Sequence, residues 1–155
     1  MSDPADRPPG TAANRSRPGR GGQRNRAAQF SRTRQDHASE VAEDYVELVA
    51  QLIREKGEAR IVDIAQRLGV SHVTVTKTIA RLREAGLVHS EPYRAIFLTS
   101  AGEELAQRVE ARHELLLQFL LKLGVAPEHA EADAEGMEHH VSEATLAAME
   151  RFLQR

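Results

Sequence analysis

The sequence of residues 59–86 is ARIVDIAQRLGVSHVTVTKTIARLREAG. Two short amphipathic patterns lie on either side of Gly69, and glycine permits the left-handed backbone of a tight turn. Ser71 follows as an N-cap for the second helix, which we expect to end at Gly86. The pattern indicates a helix-turn-helix, and an ordinary corner between two helices is the alternative.

The apolar residues of this stretch recur at helical spacing, and we expect them to face a core. They are Ile64, Ala65, Leu68, Val75, Ile79 and Leu82, with Val70 filling the angle between the two helices.

The exposed start of the second helix carries the side chains that would face base edges in the DNA major groove. Hydroxyl groups can bind phosphates or bases, and Lys or Arg can bind guanine or phosphate. The candidates are Ser71, His72, Thr74, Thr76, Lys77 and Arg81. Lys77 and Arg81 lie one turn apart, and we assign them to phosphates before bases.

A β-hairpin is predicted directly after this motif. Residues 87–98, LVHSEPYRAIFL, predict two short strands around a turn at residues 91–94, with Leu87 and Val88 facing the apolar residues of the second strand. A hairpin in this place is a wing, and Arg94 at its tip could reach the minor groove or a phosphate. The hairpin would also close the core.

A helix is predicted before the motif, from about Glu40 to Lys56, with Ser39 as its N-cap and Gly57 at its end. Asp44 and Glu47 lie on its polar side at positions i and i+3. Acidic residues near a helix start commonly just interact favourably with the helix dipole, so these two alone do not define a site.

A long helix is predicted after the hairpin, capped by Thr99 or Ser100 and ended by Gly124. Its leucine-rich stripe is wider than one small domain needs, which suggests a subunit interface. His113 lies in the middle of this helix. A lone histidine in a helix is more often structural than a ligand.

Residues 133–140, DAEGMEHH, lie in a helix expected to open at Pro127. Glu135, Glu138 and His139 stand at i, i+3 and i+4, so they share one helix face. Carboxylates this close repel each other unless a cation or a proton neutralises them. A set without sulfur favours a hard or borderline divalent metal. A charged helix face with a satisfied histidine is the other interpretation.

Charge is distributed unevenly along the 155 residues, whose formal net charge is −2. Residues 1–35 hold eight arginines against Asp3 and Asp6, which leaves about −8 for residues 36–155. Residues 1–36 also hold four of the six prolines, and we expect this segment to be disordered. It is either a solvated tail or a basic arm that adds non-specific phosphate contacts.

The composition restricts the class of protein further. There is no cysteine, so disulfides and thiolate sites are excluded, which fits a cytoplasmic location. No apolar run approaches the roughly 18 residues needed to span a membrane.

Five motifs then occur in an order that resembles a known family. They are Asp44-Tyr-Val-Glu47, the helix-turn-helix, Thr99-Ser-Ala-Gly102, Arg112-His-Glu-Leu115 and Glu135-Gly-Met-Glu-His-His-Val-Ser142. Together they resemble the diphtheria-toxin-repressor family, and within it the manganese transport regulators, over about residues 38–155.

The resemblance implies a mainly α protein in two domains that acts as a homodimer. A winged helix-turn-helix DNA-binding domain would cover residues 37–99, and a helical dimerisation and metal-binding domain would cover residues 100–155. The implied metal ligands are Asp44, Glu47, His113, Glu135, Glu138 and His139.

The implied cofactor is Mn(II) in a binuclear site with bridging carboxylates, and Fe(II) is the alternative ion. Four carboxylates would be neutralised by two divalent ions. In iron-responsive relatives the positions that match Asp44 and Glu135 carry sulfur ligands, whereas both are carboxylates here, which suits Mn(II).

The implied function is a cytoplasmic, Mn(II)-activated repressor of metal-transport genes that binds a palindromic operator in double-stranded DNA. One rival is a metal-independent winged-helix regulator switched by an organic ligand. The other is a dimetal enzyme, since Glu110-Ala-Arg-His113 matches one Glu-x-x-His motif. Such enzymes need two of these motifs and the chain has only one, so we expect no enzyme.

Overall fold

The computed structural model describes residues 20–90 and 94–155, and the side chains of residues 36–90 and 94–155. Its elements are α1 (Arg20–Lys56), α2 (Ile61–Leu68), α3 (His72–Glu84), β1 (Val88–Ser90), β2 (Ile96–Leu98), α4 (Ser100–Lys122), α5 (Pro127–Met137) and α6 (Glu143–Leu153). The predicted mainly α architecture, with a winged helix-turn-helix followed by a helical region, is confirmed. None of the described helices has the length and apolarity that crossing a bilayer requires.

Helix α1 begins at Arg20, about twenty residues before the start predicted near Glu40. Ser39 therefore lies inside the helix and is not its N-cap, so that prediction was wrong. The disorder predicted over residues 1–36 does not hold for residues 20–36, which are helical; residues 1–19 lie outside the described residues. The sequence of α1 contains no proline, which would break a helix in its interior.

The first hydrophobic core joins α1 to the helix-turn-helix and the wing. Its buried members are Tyr45, Leu48, Val49, Leu52, Ala59, Ile64, Ala65, Val75, Ile79, Leu82, Val88 and Ile96. The predictions for Leu68 and Val70 were wrong, because each is 37% exposed. Both flank Gly69, whose φ of 66° reverses the chain, so they lie at the edge of this core.

The two strands form the predicted antiparallel hairpin, with Val88 opposite Leu98. Val88 and Ile96 are buried against the first core. Phe97 lies opposite His89, and its side chain is 45% exposed because successive side chains of a strand point to opposite faces. Of the turn predicted at residues 91–94, residues 91–93 lie outside the described residues.

The second hydrophobic core is built by α4, α5 and α6. It contains Leu116, Leu120, Ala130, Ala134 and Leu146, with partly buried leucines of α4 around them. Part of the leucine stripe predicted as a subunit interface is therefore covered within the chain.

Glycine at position 102 lets α4 start close to the hairpin. Thr99 is the N-cap of α4 and accepts a hydrogen bond from the Gly102 amide at 3.1 Å. Gly102 is buried, and a Cβ added there would overlap the carbonyl oxygen of Leu87 and press on Leu98.

We expect Gly102→Ala to lower the free energy of unfolding by about 1–3 kcal/mol, because the backbone at Leu87 or Thr99 must shift. Chemical denaturation measures the change. Gly136→Ala is the matched control: Gly136 lies in α5 with open space around its Cα, so alanine there should leave stability equal or higher. Unchanged stability of Gly102→Ala would contradict this account of the junction.

Candidate metal centre

The six side chains predicted as metal ligands come from three segments. Asp44 and Glu47 lie on α1, and His113 lies on α4. Glu135 lies in the last turns of α5, which ends at Met137, so the prediction that this helix holds all of residues 133–140 was wrong at its end. Glu138 is the C-cap, with helical angles of φ −58° and ψ −33°, and His139 follows in a turn.

His113 meets two carboxylates of the later segment. Its Nδ1 lies 2.8 Å from Oε2 of Glu138 and 3.9 Å from Oε2 of Glu135. One ligand atom from each of these three residues lies within 4.8 Å of the other two. That arrangement suits a divalent cation.

His139 connects this trio to α1. Its Nε2 lies 3.0 Å from Oδ1 of Asp44 and 3.3 Å from Oε1 of Glu138. The side chain of Glu138 is only 1% exposed. Its Oε2 faces His113 and its Oε1 faces His139.

Glu47 lies beside these groups at the wall of a cavity of about 660 Å³. His113 and Glu135 line the same cavity, together with further acidic side chains. The charges of Glu138 and Glu135 act on the Glu47 carboxyl, which places it in the same electrostatic cluster. The structure thus brings all six predicted residues into one region.

The electrostatics of the region favour bound protons when no cation is present. Burial raises the pKa of Asp44, Glu47 and Glu138, and the charge of Glu135 raises each of them further. The pKa of His113 also lies above its usual value: desolvation lowers it, but the hydrogen bonds and charges of Glu138 and Glu131 together outweigh desolvation. Cations would relieve the same repulsion that these protons relieve.

Three residues that the sequence analysis did not assign to the site contact it directly. Glu43 lies with Oε2 at 2.7 Å from Nδ1 of His139 and 3.2 Å from Nη1 of Arg112. Arg112 also donates a hydrogen bond to the carbonyl oxygen of Glu138 at 2.9 Å. Glu131 lies 3.3 Å from Nε2 of His113. Glu43 and Arg112 each adjoin a predicted ligand in the sequence, but local spacing does not show which distant side chain a residue meets.

The predicted DNA contacts all lie on exposed positions. Those on the helix-turn-helix are Ser71, His72, Thr74, Thr76, Lys77 and Arg81, and Arg94 is exposed beside the hairpin. Ser71 is the predicted N-cap of α3, since its Oγ accepts from the Thr74 amide at 3.1 Å. The Thr76 hydroxyl donates to the His72 carbonyl at 2.8 Å, which leaves its methyl group and its two lone pairs for other contacts.

Two family descriptions match the chain. Residues 37–96 match "Iron dependent repressor, N-terminal DNA binding domain", and residues 99–155 match "Iron dependent repressor, metal binding and dimerisation domain". The solved structure named "Manganese-dependent transcriptional repressor complex with manganese" is similar with a TM-score of 0.64 and 32% identity. That match covers 73% of this chain and 52% of the solved chain, which is about twice as long as the matched part.

Curated relatives agree with these matches. The "Transcriptional regulator MntR" of Escherichia coli O6:H1 is 55% identical over 126 residues, which are 81% of this chain and 81% of the relative. The "HTH-type transcriptional regulator MntR" of Geobacillus kaustophilus is 46% identical over 100 residues, which are 64% of this chain and 71% of the relative. The chain therefore belongs to the iron-dependent, or diphtheria-toxin, repressor family, in the branch of the manganese transport regulators, and is a transcriptional regulator rather than an enzyme.

Proposed function

We propose that this protein is a manganese-responsive repressor that binds operator DNA as a homodimer when its site holds Mn(II). The observation that carries the proposal is the meeting of Asp44 from α1, His113 from α4 and the turn residues Glu138 and His139 in one cluster. The choice of metal is supported by the similarity to the manganese-dependent repressor solved in complex with manganese, which is 32% identical to this chain.

The proposed ligands are the six residues Asp44, Glu47, His113, Glu135, Glu138 and His139. Their oxygen-rich set with two imidazoles fits Mn(II), although raw affinity favours later transition metals, so geometry and metal availability must select the ion. We propose two ions per subunit, because the oxygens of Glu138 face His113 and His139 separately. Fe(II) is the alternative ion.

Helix α1 would connect this site to DNA binding. Its apolar side, including Tyr45, Leu48 and Leu52, packs in the same core as Val75 and Ile79 of the recognition helix α3. Its acidic side carries Asp44 and Glu47 toward the C-terminal helices. A divalent cation would supply positive charge that offsets the repulsion among these carboxylates, and α1 would then stay against α4.

A fixed α1 restricts the position of α3 in each subunit of a dimer. Two recognition helices held near one DNA turn apart, about 34 Å, match a palindromic operator. A coupling free energy of about 1–3 kcal/mol changes DNA affinity 5- to 150-fold, which is enough for a switch. We propose that the operators control metal-transport genes and that the protein acts in the cytoplasm, with residues 37–99 binding DNA and residues 100–155 forming the dimer.

The contacts with DNA would come from the exposed candidates on α3 and from Arg94. The arginine-rich residues 1–36 would add non-specific phosphate contacts as a basic arm. The metal-independent alternative, switched by an organic ligand, gains no support from the described residues. The cavity beside His113 is lined by carboxylates such as Glu110, Glu114 and Glu131, which suit cations better than an apolar ligand.

We expect Glu138→Gln to abolish the stimulation of DNA binding by Mn(II), because the variant loses the buried negative charge between the two histidines. The measurement is fluorescence anisotropy with a duplex that the wild-type protein selects from a random library in the presence of Mn(II). Glu114→Gln is the matched control, since Glu114 lines the same cavity but bonds to Gln118 on its own helix. Normal Mn(II) stimulation in Glu138→Gln would contradict the proposed ligand set.

We expect the stabilisation by Mn(II) to grow as the pH rises from about 5 to about 8. The pKa values of Asp44, Glu47, Glu138, His113 and His139 are all raised in the folded, metal-free protein. The folded site therefore holds extra protons, whose stabilising effect is complete below the unfolded pKa values, near 4 and 6.5, and is lost as pH rises through the folded values.

Mn(II) must displace those protons, so it competes best where they have already left. The difference in Tm between the Mn(II)-loaded and metal-free protein measures this competition, because pH effects of distant groups cancel in it. A difference that stays constant or shrinks with rising pH would show that these groups do not bind the ion.

A further inference from the structure

We propose that Glu43 is a positioning residue for His139: it holds a proton on Nδ1, so that Nε2 is the nitrogen offered to a divalent cation. The cation in this inference rests on the proposed function. The hydrogen-bonding pattern itself belongs to the metal-free protein.

The two nitrogens of His139 have different surroundings. Nε2 lies 3.0 Å from Asp44 and 3.3 Å from Glu138, which are both proposed ligands. Nδ1 lies 2.7 Å from Glu43, whose other described polar contact is with Arg112. An ionised carboxylate accepts hydrogen bonds and donates none, so the shorter contact, with Glu43 at 2.7 Å, favours Nδ1 as the nitrogen that carries the proton of the neutral ring. The lone pair of the neutral ring is then on Nε2.

Arg112 holds the Glu43 carboxylate in place. Its Nη1 lies 3.2 Å from the same Oε2 of Glu43 and donates to the Glu138 carbonyl at 2.9 Å. The side chains of Arg112 and Glu43 are 16% and 13% exposed, so solvent screens their attraction only in part. One guanidinium therefore fixes both the carboxylate that orients His139 and the backbone next to His139.

His113 shows why this arrangement is specific. Its Nε2 lies 3.3 Å from Glu131, but the Glu131 side chain is 63% exposed. Among the described ion pairs, none joins Glu131 to an arginine or a lysine. Glu131 can leave His113 at little cost. If Glu43 left His139, the largely buried guanidinium of Arg112 would lose its carboxylate partner.

Glu43 and Asp44 are consecutive residues of α1, and they contact opposite nitrogens of one imidazole ring. Any shift of α1 away from the turn breaks both contacts together. Glu43 therefore sets the orientation of the ring relative to the DNA-binding half as well as its tautomer, without contacting a cation itself.

The test compares three full-length variants with the wild type. Glu43→Leu keeps the approximate size of the side chain and removes the acceptor. Glu43→Gln keeps an acceptor oxygen and removes the charge. Glu40→Leu is the matched control, because it removes a partly buried carboxylate one turn earlier on α1 that contacts His140 instead of His139.

The first readout is Mn(II) affinity, measured by competition with a fluorescent chelator. We expect Glu43→Leu to bind Mn(II) about 10- to 100-fold more weakly, the range typical for loss of a group that orients a ligand. Glu43→Gln should retain part of the affinity, and Glu40→Leu should bind as the wild type does. If Glu43→Leu and Glu40→Leu lost Mn(II) affinity equally, the loss would reflect only the removal of negative charge near the site, and the proposal would be overturned.

The second readout is the tautomer of His139 in the metal-free protein, from imidazole nitrogen NMR at alkaline pH where the ring is neutral. We expect the proton on Nδ1 in the wild type and its loss from Nδ1 in Glu43→Leu. A proton on Nε2 in the wild type would overturn the proposal whether or not any variant folds. Failure of the wild type to bind Mn(II) would instead refute the proposed function and leave the tautomer to decide this inference.

Discussion

A buried carboxylate between two histidines is the interaction on which the candidate metal centre depends. Glu138 is 1% exposed, and each of its oxygens meets an imidazole, one from α4 and one from the turn after α5. A carboxylate in such a place is costly unless charged or hydrogen-bonding partners surround it. Glu135 and Glu138 of the C-terminal half therefore form an acidic cluster, and their charges act on the acidic side of α1.

Helix α1 belongs to two structures at once. Its apolar side is part of the core beneath the recognition helix, and its acidic side belongs to the cluster around Glu138. These demands pull in opposite directions when no cation is present, because packing holds α1 in place while Asp44 and Glu47 repel the other carboxylates. A protein in which one helix carries both demands is suited to convert metal binding into a change in DNA affinity.

Local patterns in the sequence predicted the parts of the fold that local chemistry determines. The turn at Gly69, the cap at Ser71 and the hairpin after α3 are present as predicted. Patterns of this kind cannot show where long-range packing ends, which is why Leu68 was wrongly placed in the core. The start of α1 was missed for a related reason, since charged and small residues are compatible with both a helix and a disordered tail.

For the candidate site too, local patterns predicted some of the residue groupings and not others. Helical spacing alone grouped Glu135, Glu138 and His139, whereas their meeting with Asp44 and Glu47 was implied only by the family resemblance. Glu43 received no role, because neighbouring residues of a helix do not share a face and nothing local connects Glu43 to His139, 96 residues later. Pairings of this range depend on the tertiary fold.

The most direct measurement is a crystal structure of the full chain grown with Mn(II), with anomalous scattering used to locate the ions. The account predicts at least one ion bound by a carboxylate of α1, Asp44 or Glu47, together with His113, Glu138 or His139. Ions bound only by residues of α4 and α5, with Asp44 and Glu47 facing solvent, would contradict it.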